Sequence, residues 1–215
     1  VGAPLLVHGQ HWHVNVESER LIYQDETGLL DLPLPNLPGP HQIQNAGAAI
    51  ATLRYLGMDE IACTAAISQA YWPARMQRLR TGPLVENLAS NEVWLDGGHN
   101  PAAGRAIAGT LASLAKRETH IICGMINTKD VKGFLAPIAT HCTSLTAVTI
   151  PNEPNAVPAP DLANFGRSCG LISFEGVNID QVLRDISKRH PEARILICGS
   201  LYLAGHVLRE NDESA

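Results

Sequence analysis

No run of apolar residues in this 215-residue chain approaches the roughly 20 needed to cross a bilayer as a helix. Charge is also scarce. Charged residues make up 17% of the chain, and 16 basic against 21 acidic side chains give a formal net charge of -5. That excludes a broad surface for nucleic acid or anionic membrane, though not a local basic pocket. No Cys-x-x-Cys occurs. The cysteines, Cys63, Cys123, Cys142, Cys169 and Cys198, are odd in number and far apart, which removes zinc ribbons and redox pairs. Cys63, Cys123 and Cys198 lie in apolar runs, where a thiol acts as a small core hydrophobe. Reduced thiols and a cytoplasmic setting are expected. Neither G-x-G-x-x-G after a strand nor G-x-x-x-x-G-K-[ST] is present, so the chain has no dinucleotide fingerprint and no phosphate-gripping loop of its own. Val1-Gly2-Ala3-Pro4 opens without Met and without a basic stretch leading into an apolar one. No signal peptide is expected, and the chain reads as cut from something longer.

What is present is apolar and patterned. Hydrophobic residues are 45% of the total, enough for a real core. Short apolar runs at Leu5–Val7, Trp12–Val16, Leu21–Tyr23 and Leu29–Leu32 predict β structure, with a hairpin at Asp25-Glu26-Thr27-Gly28. A proline-rich stretch follows (Pro33, Pro35, Pro38, Pro40). Helices are expected at about 42–56 and 59–70, the second capped by Asp59. After Tyr71-Trp72-Pro73 the pattern changes. Strands are predicted at 75–80 and 84–88. From Val93 onward apolar strands (93–95, 120–123, 145–150, 171–174, 195–198) alternate with helical patterns (101–117, 131–140, 160–168, 178–189, 201–210). Such alternation argues for a mostly parallel sheet with helices on both faces. The boundary is placed so that 1–72 is the end of one domain and 73–215 a complete α/β domain.

In such a sheet ligands bind where strands end and helices begin. The loop Asp96-Gly97-Gly98-His99-Asn100-Pro101 has two glycines for close approach, then Asn as N-cap and Pro at the first helical position. Asp96 can hold a ribose hydroxyl or a cation and His99 a phosphate or carboxylate; alternatively both only organise the turn. Lys129-Asp130 follows another strand end, where Asp130 is read first as a helix cap. Gly199-Ser200 opens the last helix, either as an anion site or as an ordinary Ser cap. Upstream, His41 to Asn45 offers amides able to read a base edge, and Arg75 at the domain junction suits a phosphate or an ion pair. His8, His11 and His13 cluster, and His11 and His13 on one strand face are two metal-ligand types at alternate spacing. They lack a Cys or acidic partner, so they are read as surface residues and no metal ligand set is expected in the chain.

In order, H-Q-x-x-N-A (His41–Ala46), W-P-x-R-x-Q (Trp72–Gln77), L-D-G-x-H-N-P (Leu95–Pro101), G-M-x-x-x-K-D (Gly124–Asp130) and G-S-L-Y-L-A-G (Gly199–Gly205) resemble the folylpolyglutamate synthase / dihydrofolate synthase family of the Mur ligase superfamily. The resemblance runs from about Leu5 to Leu208. It implies the tail of a central ATPase domain over 1–72 and a Rossmann-like C-terminal glutamate-ligase domain over 73–215. It further implies a cytoplasmic, monomeric enzyme of folate biosynthesis and one-carbon metabolism. Such an enzyme uses ATP and Mg²⁺ to activate a carboxylate of dihydropteroate or a folate as an acyl phosphate, which L-glutamate then attacks. By the same resemblance Asn45 contacts adenine, Arg75 the ATP phosphates and Asp96 the nucleotide. His99 lies near glutamate and the transferred phosphate, and Ser200 near glutamate. The P-loop and Mg²⁺ ligands would lie upstream of Val1, so the chain alone is expected to be inactive. The family often has Gly where Ala74 stands, and an acidic residue where Thr128 stands. A peptidoglycan-type Mur ligase and a non-catalytic nucleotide-binding domain are the competing readings.

Overall fold

The computed structural model describes residues 2–88 and 90–212. Its contacts divide into two compact units that meet at Trp72 and Pro73.

The first unit is an antiparallel meander, β1 (Trp12–Glu17), β2 (Arg20–Asp25) and β3 (Gly28–Pro33), with two helices, α1 (His41–Tyr55) and α2 (Glu60–Ser68). The β2–β3 hairpin is held by the Asp25 carboxylate, which accepts the Thr27 N–H and hydroxyl at 2.9 and 2.7 Å. Period-two burial sends Leu21, Tyr23, Leu30 and Leu32 to one face, where they pack with Trp12, Ala46, Ile50, Cys63 and Ile67. The unit therefore has a core of its own. Leu5–Val7 forms no strand. His11 precedes β1 rather than sharing a strand face with His13, and its Nδ1 accepts the Val7 N–H at 2.9 Å.

The second unit is a six-stranded sheet in the order β4 (Gln77–Leu79), β5 (Glu92–Leu95), β9 (Arg194–Cys198), β6 (Thr119–Cys123), β7 (Ser144–Ala147) and β8 (Ile172–Glu175). All neighbours are parallel except β4, which runs antiparallel to β5 at the edge. The connecting helices are α3 (Pro101–Ser113), α4 (Val131–Ala139), α5 (Ala159–Ser168), α6 (Ile179–Arg189) and α7 (Leu201–Glu210). Every residue of β6 and of β9 is buried. That is the signature of a strand covered on both sides. Ile121, Cys123, Leu196 and Cys198 face α3, α4 and α5, whereas Ile122, Ile195 and Ile197 face α6 and α7.

Two expected strands differ. Residues 84–88 form turns, because Pro83 starts a helical turn in which Val85 and Glu86 both donate to the Gly82 carbonyl. The run 145–150 leaves the sheet after Ala147, where the Val148 N–H reaches back to Cys123 O at 2.8 Å. The helix expected over 101–117 stops at Ser113.

Candidate functional site

The parallel register places Leu95 beside Ile197 and Cys123 beside Cys198, so three strands end in line. Beyond them the loops are stitched together: Asp96 N–H to Ile197 O at 2.9 Å, Gly124 N–H to Cys198 O at 3.2 Å, and Gly199 N–H to Gly98 O at 3.1 Å. Asp96, Gly124 and Gly199 share this edge, as the strand pattern predicted. Gly199 must be glycine. Its φ is +112°, and a Cβ there would sit 2.8 Å from both the Cys123 Sγ and the Gly124 O.

Three helices begin at this edge. Asn100 caps α3 by accepting the Ala103 N–H, Asp130 caps α4 through Gly133, and Ser200 caps α7 through Tyr202. The first-turn N–H groups and aligned dipoles give the edge a positive potential suited to an anion. Of the two readings open for Asp130 and Ser200, capping is the one whose hydrogen bonds are formed. A groove of about 930 Å³ runs between the 127–132 loop and α5, lined by Lys129, Asp130, Asn164 and Phe165 among others. Neither it nor a cleft of about 610 Å³ in the first unit is lined by Asp96, His99 or Ser200.

Asp96 is 9% exposed, and its carboxylate is committed to the backbone. Oδ2 accepts the Met76 N–H at 2.8 Å and Oδ1 the Gly98 N–H at 2.7 Å. Gly97 N–H donates to Ala74 O at 2.7 Å, which completes a clamp between the 74–76 segment and the 96–98 loop. Within that segment Ala74 (φ +54°) and Met76 (φ +41°) are both left-handed. They flank Arg75, whose side chain is exposed. His99 Nδ1 lies 2.9 Å from Gly97 O; a carbonyl only accepts, so Nδ1 carries the proton and Nε2 is left with its lone pair. Ser200 is 3% exposed. Arg75, Asp96, His99 and Ser200 thus gather on connected loops of the second unit. Asn45 lies in the first unit on α1, exposed, with its amide donating to Gln42 Oε1 at 2.9 Å.

The left-handed Ala74 explains why glycine suits this position. A non-glycine residue there costs about 1–2 kcal/mol, and a β-branched one more. Ala74→Gly should leave stability within about 1 kcal/mol, relief of strain offsetting loss of a buried methyl, while Ala74→Val should cost more than about 2 kcal/mol. Urea unfolding of both variants checks this; equal tolerance of Gly and Val would refute the left-handed geometry.

Sequence reasoning missed a cluster at the opposite end of the sheet, centred on Glu92. Its carboxylate meets Arg194 at 3.0 Å, Arg78 at 3.3 Å and Arg117 at 3.9 Å, and the Trp94 indole N–H at 3.3 Å. Arg78 also stacks over Trp94, 5.5 Å from the ring centre. Burial alone would raise the Glu92 carboxyl, but the Trp94 hydrogen bond, Arg194 and Arg78 outweigh it and hold it below the usual range.

An open, mostly parallel sheet with helices on both faces, and glycine loops and helix N-termini at its carboxyl edge, places the second unit in the doubly wound α/β class, whose members bind ligands at that edge. Residues 85–210 match the family model of the dihydrofolate synthetase C-terminal domain, and the chain belongs to that family. It is 32% identical over 143 residues to the dihydrofolate synthase/folylpolyglutamate synthase of Mycobacterium tuberculosis, covering 62% of this chain and 27% of that protein. It is 26% identical over 196 residues to a probable bifunctional folylpolyglutamate synthase/dihydropteroate synthase of Haloferax volcanii, covering 88% of this chain and 22% of the relative. The structure of E. coli FolC in complex with ADP superposes with a TM-score of 0.80 at 27% identity, over 97% of this chain and 48% of FolC. The chain therefore spans half or less of the length of these relatives. Among the described residues no helix is long and apolar enough to cross a membrane.

Proposed function

We propose that this chain is the C-terminal part of an ATP-dependent carbon–nitrogen ligase that adds L-glutamate to dihydropteroate or to folates. The observation that carries the reading is the carboxyl edge of the second unit: three helix N-termini and a glycine cradle on a domain of the dihydrofolate synthetase family. Relatives of known structure support the ligand classes. One FolC complex contains ADP and DHPP, and a bifunctional folylpolyglutamate synthase/dihydrofolate synthase holds Mn, AMPPNP and L-glutamate.

The edge fits phosphate and carboxylate groups better than a cation. Asp96 is spent on two backbone N–H groups and Asp130 on a helix cap, so the residues here do not form a Mg²⁺ site. Mg²⁺, held by another part of the protein, would neutralise charge on the transferring phosphoryl group. What this chain contributes is positioning. Asp96 fixes the loop that carries His99, and the Gly97 carbonyl orients the His99 ring. Nε2 is then available to meet the phosphate or the glutamate carboxylate as the amine attacks the acyl phosphate and inorganic phosphate leaves. Arg75 supplies a bidentate fork for the ATP phosphates, and Asn45 the amide that reads adenine. Ser200 keeps the last helix N-terminus aimed at glutamate. The enzyme acts as a monomer in the cytoplasm, where the thiols stay reduced.

In the full-length enzyme Arg75→Ala should remove a charge-assisted contact worth about 1.5–3 kcal/mol, raising the KM for ATP about ten- to a hundredfold. The 215-residue chain alone should show no glutamate-dependent ADP release, since it has no G-x-x-x-x-G-K-[ST] cradle. Steady-state kinetics with each substrate varied tests both. Turnover of a UDP-linked substrate in place of a pteroate would instead place the enzyme with the peptidoglycan ligases.

A further inference from the structure

We propose that Glu118, His120 and His190 form a binding site for a divalent transition metal of the zinc type, at the opposite end of β6 from the candidate ligase edge. Glu118 and His120 lie two residues apart where the chain enters β6. His190 closes the C-terminus of α6, just before β9, which pairs with β6. One ligand atom from each side chain lies within 4.8 Å of the others, and this is the cluster of such residues found among the described residues. Glu118 Oε1 is 3.4 Å from His120 Nε2, and Glu118 Oε2 is 3.1 Å from His190 Nδ1. Ligands about 2.0–2.1 Å from a tetrahedral ion are separated by roughly 3.3 Å, so each histidine already stands about one such edge from a Glu118 oxygen.

The second observation is an orphan. His120 is 3% exposed, and its buried Nε2 has no hydrogen-bond partner. That nitrogen points into the cluster. The other nitrogen, Nδ1, lies 2.8 Å from the Ser144 hydroxyl. With Nδ1 protonated and donating to Ser144, Nε2 presents its lone pair, the arrangement in which an outer hydrogen bond fixes a ligating histidine. The His190 ring lies 4.3 Å from the His120 ring, so modest rotation brings both imidazoles to one ion. Glu118 and His190 are solvent-accessible, which gives an entry path and leaves the fourth position to water. The set of two histidines and one carboxylate suits zinc, or cobalt as its spectroscopic stand-in.

The test is titration of the chelator-stripped 215-residue chain with zinc chloride in a calorimeter, and with cobalt(II) by visible absorption. One ion per chain is expected, with the intense ligand-field bands of low coordination for cobalt. His190→Ala and Glu118→Gln each change an accessible side chain, and each should weaken binding about a hundredfold while circular dichroism stays unchanged. Ser144→Ala should weaken it about tenfold through loss of the tautomer lock. Replacing His11 and His13 with Ala should change nothing. No zinc uptake overturns the proposal, as does uptake that survives both His190→Ala and Glu118→Gln, or that disappears with His11 and His13.

Discussion

Glu92→Gln should destabilise the second unit by about 2–4 kcal/mol, one of the largest losses available from a single isosteric change outside the apolar core. The reason is Arg194. Its side chain is 3% exposed, and its guanidinium has two recorded partners, Glu92 Oε2 through Nε at 3.0 Å and the Ala115 carbonyl through Nη2 at 3.0 Å. A neutral amide keeps the shape at position 92 but leaves that buried cation without its counter-charge. Arg78 and Arg117 lose their anion as well, so three positive groups face one another. Breaking a buried pair costs about 3–5 kcal/mol; the lower range applies because Glu92 retains 23% exposure. The pH dependence has a definite sign. The folded carboxyl of Glu92 lies below its ordinary value, so its contribution is complete above the unfolded pKa of about 4.3 and is lost as pH falls through the folded value. The gap between wild type and Glu92→Gln in urea unfolding should therefore be constant from pH 7 to about pH 5 and shrink in more acid solution. A gap that grows on acidification would contradict the ion-pair account.

The sequence made the sheet legible because burial on both faces demands apolar runs, and Ile121–Cys123 and Ile195–Cys198 are such runs. The helix starts were legible too, since Asp59, Asn100, Asp130, Asn178 and Ser200 are all residues whose side chains accept first-turn N–H groups. What stayed hidden depends on parallel pairing between distant segments. Arg194 reaches Glu92 because β9 inserts between β5 and β6, an order that no local pattern encodes. The same insertion brings His190 to Glu118 and His120. His11 and His13 share the two-residue spacing of Glu118 and His120, but His11 precedes β1 and its Nδ1 accepts the Val7 N–H. Residues 74–76 were unreadable for another reason. Left-handed Ala and Met break propensity, and their backbone is held by Asp96, by the Gly97 N–H and by the Gln77 side chain, which accepts the Ala74 N–H. Site assignments at Arg75, Asp96, His99 and Ser200 came from motif resemblance. The fold adds that one connected set of loops carries them.

Asp96 and His99 are three residues apart, and they should separate cleanly in experiment. Asp96→Ala strips both oxygens from the Met76 and Gly98 N–H groups, leaving two enclosed donors unpaired at about 1–3 kcal/mol each. A loss of about 2–5 kcal/mol is expected in unfolding of the 215-residue chain, because the clamp that holds Ala74 and Met76 left-handed goes with it. Asp96→Asn should fall between: its carbonyl can keep one donor, but its NH₂ meets the other head-on. His99→Ala removes only a ring held by one bond to the Gly97 carbonyl, half exposed, and should change stability by less than about 0.5 kcal/mol. In the full-length enzyme the order reverses in meaning. On the proposed function, His99→Ala should lower turnover or raise the KM for glutamate with ATP affinity unchanged, because that reading puts Nε2 at the reacting end of the substrates and not at the base. Asp96→Ala should lower activity toward every substrate together, as expected when the loop itself is lost. If His99→Ala leaves turnover and glutamate kinetics untouched, the loop from Asp96 to Pro101 is a structural turn, and the binding role of its histidine falls. If Asp96→Ala folds as stably as the parent chain, the clamp between residues 74–76 and 96–98 does not carry the load its hydrogen bonds imply.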